Sequence, residues 1–214
     1  MEVKNLEGIY LVIDPSMEEG ELLHKLKSAI DGGIDILQIW NHWAKEATHE
    51  DKLKLIDKIT TIAAAKNVPV LINEEWQLLK ETNLDGVHFD IIPENWTEVK
   101  KTIPKEIIIG FTAGNDLERI RWANENEIDY LSFCAMFPSS SAISCEIVKP
   151  STVLLARQIT TLPLFLSGGI NPENLQSLGL LDFQGVAIIS GIMSADNPAK
   201  KVKEYKTALA EIKK

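Results

Sequence analysis

Gln184-Gly185-Val186-Ala187-Ile188-Ile189-Ser190 is apolar through its centre, without the in-and-out alternation of a half-exposed strand, and Ile107-Ile108-Ile109 reads the same way. Strands of this kind are covered on both faces, as in a parallel sheet flanked by helices. Outward from them one unit recurs: a short β-branched or apolar run, a polar turn, then an amphipathic stretch. Eight such runs are present, at Gly8 to Asp14, Ile34 to Trp40, Pro69 to Asn73, Asp85 to Asp90, Glu106 to Thr112, Ile128 to Phe133, Pro163 to Ser167 and Gln184 to Ser190. Helical spacing is clearest from Glu50 to Ala65. There Leu53, Leu55, Ile56, Ile59, Ile62 and Ala63 form one stripe against Lys52, Lys54, Asp57 and Lys58, and that stripe should face the sheet. With no composition break and no Pro/Gly/Ser linker, the pattern predicts an α/β fold, one (β/α)8 TIM barrel over residues 1–214, rather than an open doubly wound sheet.

Composition narrows the function. Hydrophobic residues at 45% and charged residues at 25% are ordinary for a globular chain and exclude a disordered one. A net charge of −9 argues against nucleic acid, whose phosphates require clustered Lys and Arg. Lys200-Lys201-Val202-Lys203 alternates with apolar positions and reads as a solvated helix face. No apolar run spans a bilayer and Met1-Glu-Val-Lys lacks a signal pattern, so the expectation is a cytoplasmic protein with no membrane partner. Cys134 and Cys145 lack zinc-site spacing and are expected to be thiols. Nothing fixes the oligomeric state; a homodimer is open to it.

In a barrel every loop after a strand opens onto one face, which carries the chemistry. Ser167-Gly168-Gly169-Ile170-Asn171 closes the seventh run and leads into a helix expected near Pro172 and Glu173, while Ile189-Ser190-Gly191-Ile192 closes the eighth. Glycines remove side chains that would hold a phosphate away, and N–H groups at a helix start favour an anion. A Gly-Gly pair alone is also an ordinary tight turn; its place after strand seven, matched by a second turn after strand eight, points to phosphate. Gly168, Gly169, Ile189 and Ser190 are the expected phosphate-binding residues. The long stretch Cys134 to Lys149, with Pro138 and a serine run, follows strand six and opens onto the same face.

The order of motifs now resembles the thiamine phosphate synthase and TenI family over nearly the whole chain. Tyr10-Leu11-Val12-Ile13-Asp14 is similar to YLVTD, and Gly33 to Gln38 to the segment leading into Q-x-R-x-K. Leu71-Ile72-Asn73-Glu74 is similar to LIND, and Asp85-Gly86-Val87-His88 to ADGVH. Ile109-Gly110-Phe111-Thr112 resembles IG-x-S, Asp129-Tyr130-Leu131 resembles ADY with an apolar residue, and Pro138-Ser139-Ser140-Ser141 sits where the family has PT-x-TK. Ser167-Gly168-Gly169-Ile170 resembles IGGI, and Gly185-Val186-Ala187-Ile188-Ile189-Ser190 resembles GVAVVSAI. The resemblance implies joining of a pyrimidine diphosphate to a thiazole phosphate, giving thiamine phosphate and diphosphate with Mg2+ assisting. It implies that the glycine turns hold the thiazole phosphate, that Gln38 and Asn73 line the pyrimidine side, and that Thr112 and Ser139 to Ser141 close over a phosphorylated heterocycle.

Departures fall in one half of that site. Trp40 and His42 stand where Q-x-R-x-K has Arg and Lys; Glu74 replaces one metal-binding Asp and Pro93 the other; Ala142 replaces the Lys of PT-x-TK. A magnesium diphosphate needs hard oxygen ligands and cations, and neither Trp nor Pro is either. Glu74 remains as a route to metal through water, and Lys149 as a cation from the loop. The TenI-type loop histidine of GxSxH corresponds to Gly114, which shuttles no proton.

Trp40, Trp43, Trp76 and Trp96 follow strands two to four, and an aromatic pocket would stack a flat ring if they face inward. Packing is the expected role of Trp76 and Trp96, whereas Trp40 is open between packing and ligand contact. Gln38, His42, Asn73, Glu74 and Thr112 are the catalytic candidates, with Glu74 the only metal candidate. Trp40, His88, Ser139 and Ser141 are the expected substrate contacts, His88 being expected as a hydrogen-bonded core residue. The leading expectation is a family member that keeps the thiazole-phosphate half-site. Three alternatives stand beside it: an active synthase, a thiazole phosphate tautomerase using His42 or Glu74, and a non-catalytic binding protein.

Overall fold

The computed structural model describes residues 6–104, 106–139 and 146–213. Eight parallel strands close into a barrel in sequence order: β1 (Gly8–Ile13), β2 (Ile36–Ile39), β3 (Val70–Asn73), β4 (Gly86–Phe89), β5 (Ile108–Thr112), β6 (Tyr130–Cys134), β7 (Leu164–Ser167) and β8 (Gly185–Ile188). Each expected run holds one strand, with β6 extending one residue past its run to Cys134, and β8 pairs back onto β1 to close the ring. The chain is the (β/α)8 barrel its apolar runs predict.

Full helices follow most strands: α1 (Glu19–Gly32), α2 (His49–Ala64), α3 (Trp96–Thr102), α4 (Leu117–Glu125), α5 (Pro150–Ile159) and α8 (Pro198–Ile212). Local chemistry sets their ends. The Glu18 carboxylate accepts from the Gly20 and Glu21 amides at the start of α1, and Gly33, left-handed at φ 91°, ends it. Thr48 and Asp51 form a reciprocal capping box on α2. Leu55, Ile56, Ile59 and Ala63 are the buried face of α2, with Leu53 and Ile62 partly buried beside them, as the spacing requires. In α8, Val202 is buried while Lys200 and Lys203 are exposed. Two units carry less helix. The short connection from β3 to β4, residues 74–85, holds a 3-10 turn at Trp76–Lys80. After β7 come a four-residue α6 (Pro172–Leu175) and a 3-10 turn at Gln176–Leu178; a short α7 (Ser190–Met193) follows β8.

Strand alternation sorts side chains into two cores. Ile9, Leu11 and Ile13 point outward and pack under the helices, whereas Tyr10 and Val12 point into the barrel with Ile36, Leu71, Ile108, Tyr130, Phe165 and Ala187. The base of the barrel is tied by one device used four times. The residue just before each even strand takes an N–H from the preceding odd strand: Asp35 from Ile9 at 2.8 Å, Asp85 from Val70 at 2.9 Å, Asp129 from Ile109 at 2.7 Å and Gln184 from Leu164 at 2.9 Å. In return the amides of Asp35, Asp85, Asp129 and Gln184 donate to the carbonyls of those same four residues.

Val70 is buried, so loss of its acceptor leaves an N–H without a partner. Asp85→Ala is expected to lower unfolding stability by about 1–3 kcal/mol in a urea titration while leaving ligand binding at the opposite end unchanged. A variant as stable as the wild type would deny these contacts a structural role.

Candidate functional site

Two cavities of similar size lie at opposite ends of the barrel. One, of about 670 Å³, sits where strands begin, among residues such as Asp35, Thr60, Asn67 and Asp85. The other, of about 640 Å³, opens at the C-terminal ends of the strands. The second is the candidate site, because all the strand-to-helix loops and nearly all the polar interior side chains converge there.

One half of this cavity is built from backbone. Gly168 and Gly169 are left-handed, at φ 83° and 67°. Every carbonyl of the turn is engaged by the protein: Ser167 O accepts from the Met136 amide at 2.8 Å, Gly168 O from the Phe137 amide at 3.0 Å, Gly169 O from Asn174 Nδ2 at 2.9 Å and Ile170 O from the Tyr205 hydroxyl at 3.0 Å. With its oxygens turned into the protein, the turn leaves the Gly169 amide without an acceptor among the described residues. Asn174 is placed by its capping box with Asn171. Beside it, after β8, Ile189 precedes α7, whose first residues are Ser190 and Gly191, and Tyr205 from α8 packs beneath both turns. Burial raises the Tyr205 phenol to about 12, so it stays a donor to Ile170.

The other half is built from side chains. Trp40 and Gln38 of the β2 end, His88 and Asp90 of the β4 end, and Thr112 of β5 line it, with Ser139 at the edge. Deeper in, the Tyr10 hydroxyl donates to Gln38 Oε1 at 2.5 Å and lies 2.7 Å from the Tyr130 hydroxyl. Tyr130 in turn is 2.9 Å from His88 Nδ1, and His88 Nε2 is 2.8 Å from Thr112 Oγ1. Thr112 donates to Asp90 Oδ1 at 2.9 Å, and Asn73 Nδ2 to Asp90 Oδ2 at 2.9 Å. Burial alone would push the Asp90 carboxyl up; hydrogen bonding and charge from His88, then the bonds from Asn73 and Thr112, hold it well below the usual range. Gly110 makes room for this network, since a Cβ there would lie 2.0 Å from the Tyr130 ring.

Gln38, Trp40, His88, Thr112, Ser139, Gly168, Gly169, Ile189 and Ser190 are thus brought together on one wall or the other. Three candidates lie outside the lining. His42 packs on Trp40 with ring centroids 5.0 Å apart, and its Nδ1 sits 2.9 Å from Asp14. The Asp14 carboxyl is lowered against its burial by hydrogen bonds from Ser16 and then by His42, so it anchors the imidazole behind the tryptophan. Asn73 is fully buried, and its Oδ1 has no partner among the described residues. Glu74, left-handed at φ 63°, accepts from the Asp90 amide at 2.6 Å and the Ile91 amide at 3.1 Å. Burial, with Asp90 nearby, raises its carboxyl above the usual range although those amides pull the other way. Ser141, Ala142 and Cys145 lie outside the described residues.

The tryptophans divide. Trp40 lines the cavity, whereas Trp43 donates to Glu75 at 2.6 Å beneath Lys52. Trp76 packs on the outer core, and Trp96 packs edge-on against Phe89 and Trp122. Lys149 is exposed at the start of α5, and neither Lys nor Arg is among the described residues lining the cavity. Asp90 is its acidic member. Asp90, Tyr10, Tyr130, Asn174 and Tyr205 were not singled out from sequence as site residues; the inward register of β1 and β6, and the Asn171/Asn174 spacing, were the signals available.

Two outcomes are expected. At Gly169 a Cβ would lie 2.6 Å from Pro138 O and 2.8 Å from Phe137 Cβ, so Gly169→Ala should cut inorganic phosphate binding at least about tenfold by calorimetry; full affinity in the folded variant would remove the turn from the anion site. Asp90, being lowered, contributes stability that is present above the ordinary carboxylate value and lost as pH falls through its own. Asp90→Asn should therefore unfold more easily at neutral pH and show a shallower acid limb; an unchanged limb would contradict the assignment.

Comparison with known proteins agrees with this architecture. The family described as thiamine monophosphate synthase matches residues 9–192. A thiamine-phosphate synthase of Clostridium perfringens is 28% identical over 211 residues, covering 99% of this chain and 100% of that protein. One from Clostridium tetani is 30% identical over 208 residues, covering 95% and 97%. Among solved structures, a thiamine phosphate pyrophosphorylase from Pyrococcus furiosus superimposes with a TM-score of 0.84 over 99% of both chains at 19% identity, a likeness of fold. The chain belongs to the thiamine monophosphate synthase family.

Proposed function

We propose that the mouth cavity binds a phosphorylated thiazole, with its phosphate on the turns after β7 and β8 and its ring toward Trp40. The observation that carries this is the turn at Ser167 to Ile170, whose carbonyls are all engaged by the protein so that its amide edge is left for an anion. An uncharged amide cradle suits a phosphate monoester without needing Lys or Arg. Trp40, backed by the His42–Asp14 pair, offers a flat face at the other end.

The diphosphate half of the family's site is altered in this reading. Magnesium would call for several hard oxygens around one point. Glu74 Oε1, just after β3, accepts from two amides of the loop after β4, the Pro93 side chain has no ligand atom, and Asp90 is engaged by Asn73 and Thr112. Among the described residues no group of three or more His, Cys, Asp or Glu is placed to hold a metal. These residues do not fit a magnesium diphosphate, and the reading makes this chain a binder of the thiazole partner rather than an efficient coupling enzyme. Its 28–30% identical relatives carry the name thiamine-phosphate synthase, so coupling is the alternative to be tested.

Calorimetry with thiazole phosphate should show binding that a chelator does not change, and no binding of the pyrimidine diphosphate with or without Mg2+. Trp40→Ala should weaken thiazole phosphate by about 1 kcal/mol, roughly fivefold, while sparing inorganic phosphate. Magnesium-dependent formation of thiamine phosphate would favour the synthase instead, and failure to bind thiazole phosphate would overturn the proposal.

A further inference from the structure

Five contacts in series join Asp90 to Gln38, through Thr112, His88, Tyr130 and Tyr10. Each contact needs one proton. The three hydroxyls supply one apiece, and burial, which raises both phenols far above their ordinary value, keeps those two protonated. Thr112 gives its proton to Asp90, so His88 must donate from Nε2 to Thr112.

Two proton orders then satisfy every contact. In the first, His88 is an imidazolium: Nδ1 donates to Tyr130, Tyr130 to Tyr10, and Tyr10 to Gln38 Oε1. Gln38 is left facing the cavity with its NH2. In the second, His88 is neutral and the run reverses: Gln38 donates inward through Tyr10 and Tyr130 to His88 Nδ1, and shows its carbonyl to the cavity. The charge on one buried imidazole thus decides whether Gln38 offers a ligand donors or an acceptor.

The orientation of Gln38 matches the first order. Tyr10 donates to Gln38 Oε1, and Gln38 Nε2, on the cavity wall, has no protein acceptor among the described residues. A buried imidazolium needs a counter-ion. Asp90 Oδ1 lies 3.6 Å from His88 Nε2, in addition to the link through Thr112. The other groups facing this pair are Glu74, which takes the Asp90 amide, and Arg119, whose Nη1 reaches the Asp90 carbonyl at 3.5 Å.

We propose that Asp90 is a positioning residue that holds His88 as an imidazolium and, through the two phenols, fixes Gln38 with its NH2 toward the cavity. The ring bound there presents a lone-pair acceptor to Gln38, an unprotonated ring nitrogen or a carbonyl. The ligand half of this inference rests on the proposal that the cavity takes a phosphorylated heterocycle; the proton order does not.

The direct test is long-range 1H–15N spectroscopy of the ligand-free protein at neutral pH, with His88 assigned by His88→Gln. Both His88 nitrogens should resonate as an imidazolium in the wild type and as a neutral Nε2–H tautomer in Asp90→Asn. A neutral wild-type ring, or an imidazolium that persists in Asp90→Asn, would overturn the proposal. Thr112→Val, which breaks the link but keeps the carboxylate, should weaken the imidazolium signature too and serves if Asp90→Asn does not fold.

The second readout compares thiazole phosphate with its N-methylthiazolium derivative, with inorganic phosphate as control. The wild type should prefer the ring with a free nitrogen by about tenfold, and Asp90→Asn should erase that preference while keeping its phosphate affinity. An equal preference in both proteins would overturn the link from Asp90 to Gln38. An imidazolium in a wild type that binds neither ring would support the proton order and overturn the heterocycle reading alone.

Discussion

The contact between the Tyr10 and Tyr130 hydroxyls is the one on which the site depends. The two phenols come from β1 and β6, strands that are not neighbours, and meet at 2.7 Å inside the barrel. With Phe165 packed edge-on against both rings, they close the floor of the mouth cavity. Phenols with burial this complete pay for desolvation only if their hydroxyls are paired, which is why Gln38 on one side and His88 on the other are drawn into the interior. Gly110 follows from the same requirement, since any side chain there would occupy the Tyr130 ring.

Above that floor the mouth has two physically different halves. The side after β7 and β8 presents backbone, and its carbonyls are satisfied by Met136, Phe137, Asn174 and Tyr205. The side after β2, β4 and β5 presents side chains, and among the described residues lining it the acidic group is Asp90, 3.6 Å from His88 Nε2. An anion is matched by the first half and an uncharged ring by the second. That polarity is the reason for preferring a phosphate monoester of a heterocycle over a diphosphate spread across the whole mouth.

Much of the fold was legible in the chain because a parallel barrel strand is apolar on both faces, so runs such as Val186 to Ile189 announce themselves without any tertiary information. The glycine turns were legible for a similar reason: few other residues tolerate the φ of Gly168 and Gly169. What stayed hidden depends on register and on distant contacts. Tyr10 and Tyr130 read as ordinary apolar strand residues until alternation places them inward. Asp90 reads as a strand-ending turn residue, and only the fold brings it against Thr112 and Asn73. His42 was a catalytic candidate because it stands where Q-x-R-x-K has its Lys; its Nδ1 lies 2.9 Å from Asp14 and its ring packs on Trp40, contacts that only the fold reveals. Of the tryptophans around the mouth, proximity in sequence did not distinguish Trp40 on the cavity wall from Trp43 on Glu75.

A crystal structure of the protein with thiazole phosphate would place both ends of the ligand against the two halves of the mouth. Phosphate oxygens are expected within hydrogen-bond distance of the Gly169 and Gly191 amides, the ring against Trp40, and Gln38 Nε2 directed at the ring. A phosphate held instead at the base of the barrel, or a ring bound away from Trp40 and Gln38, would contradict that placement.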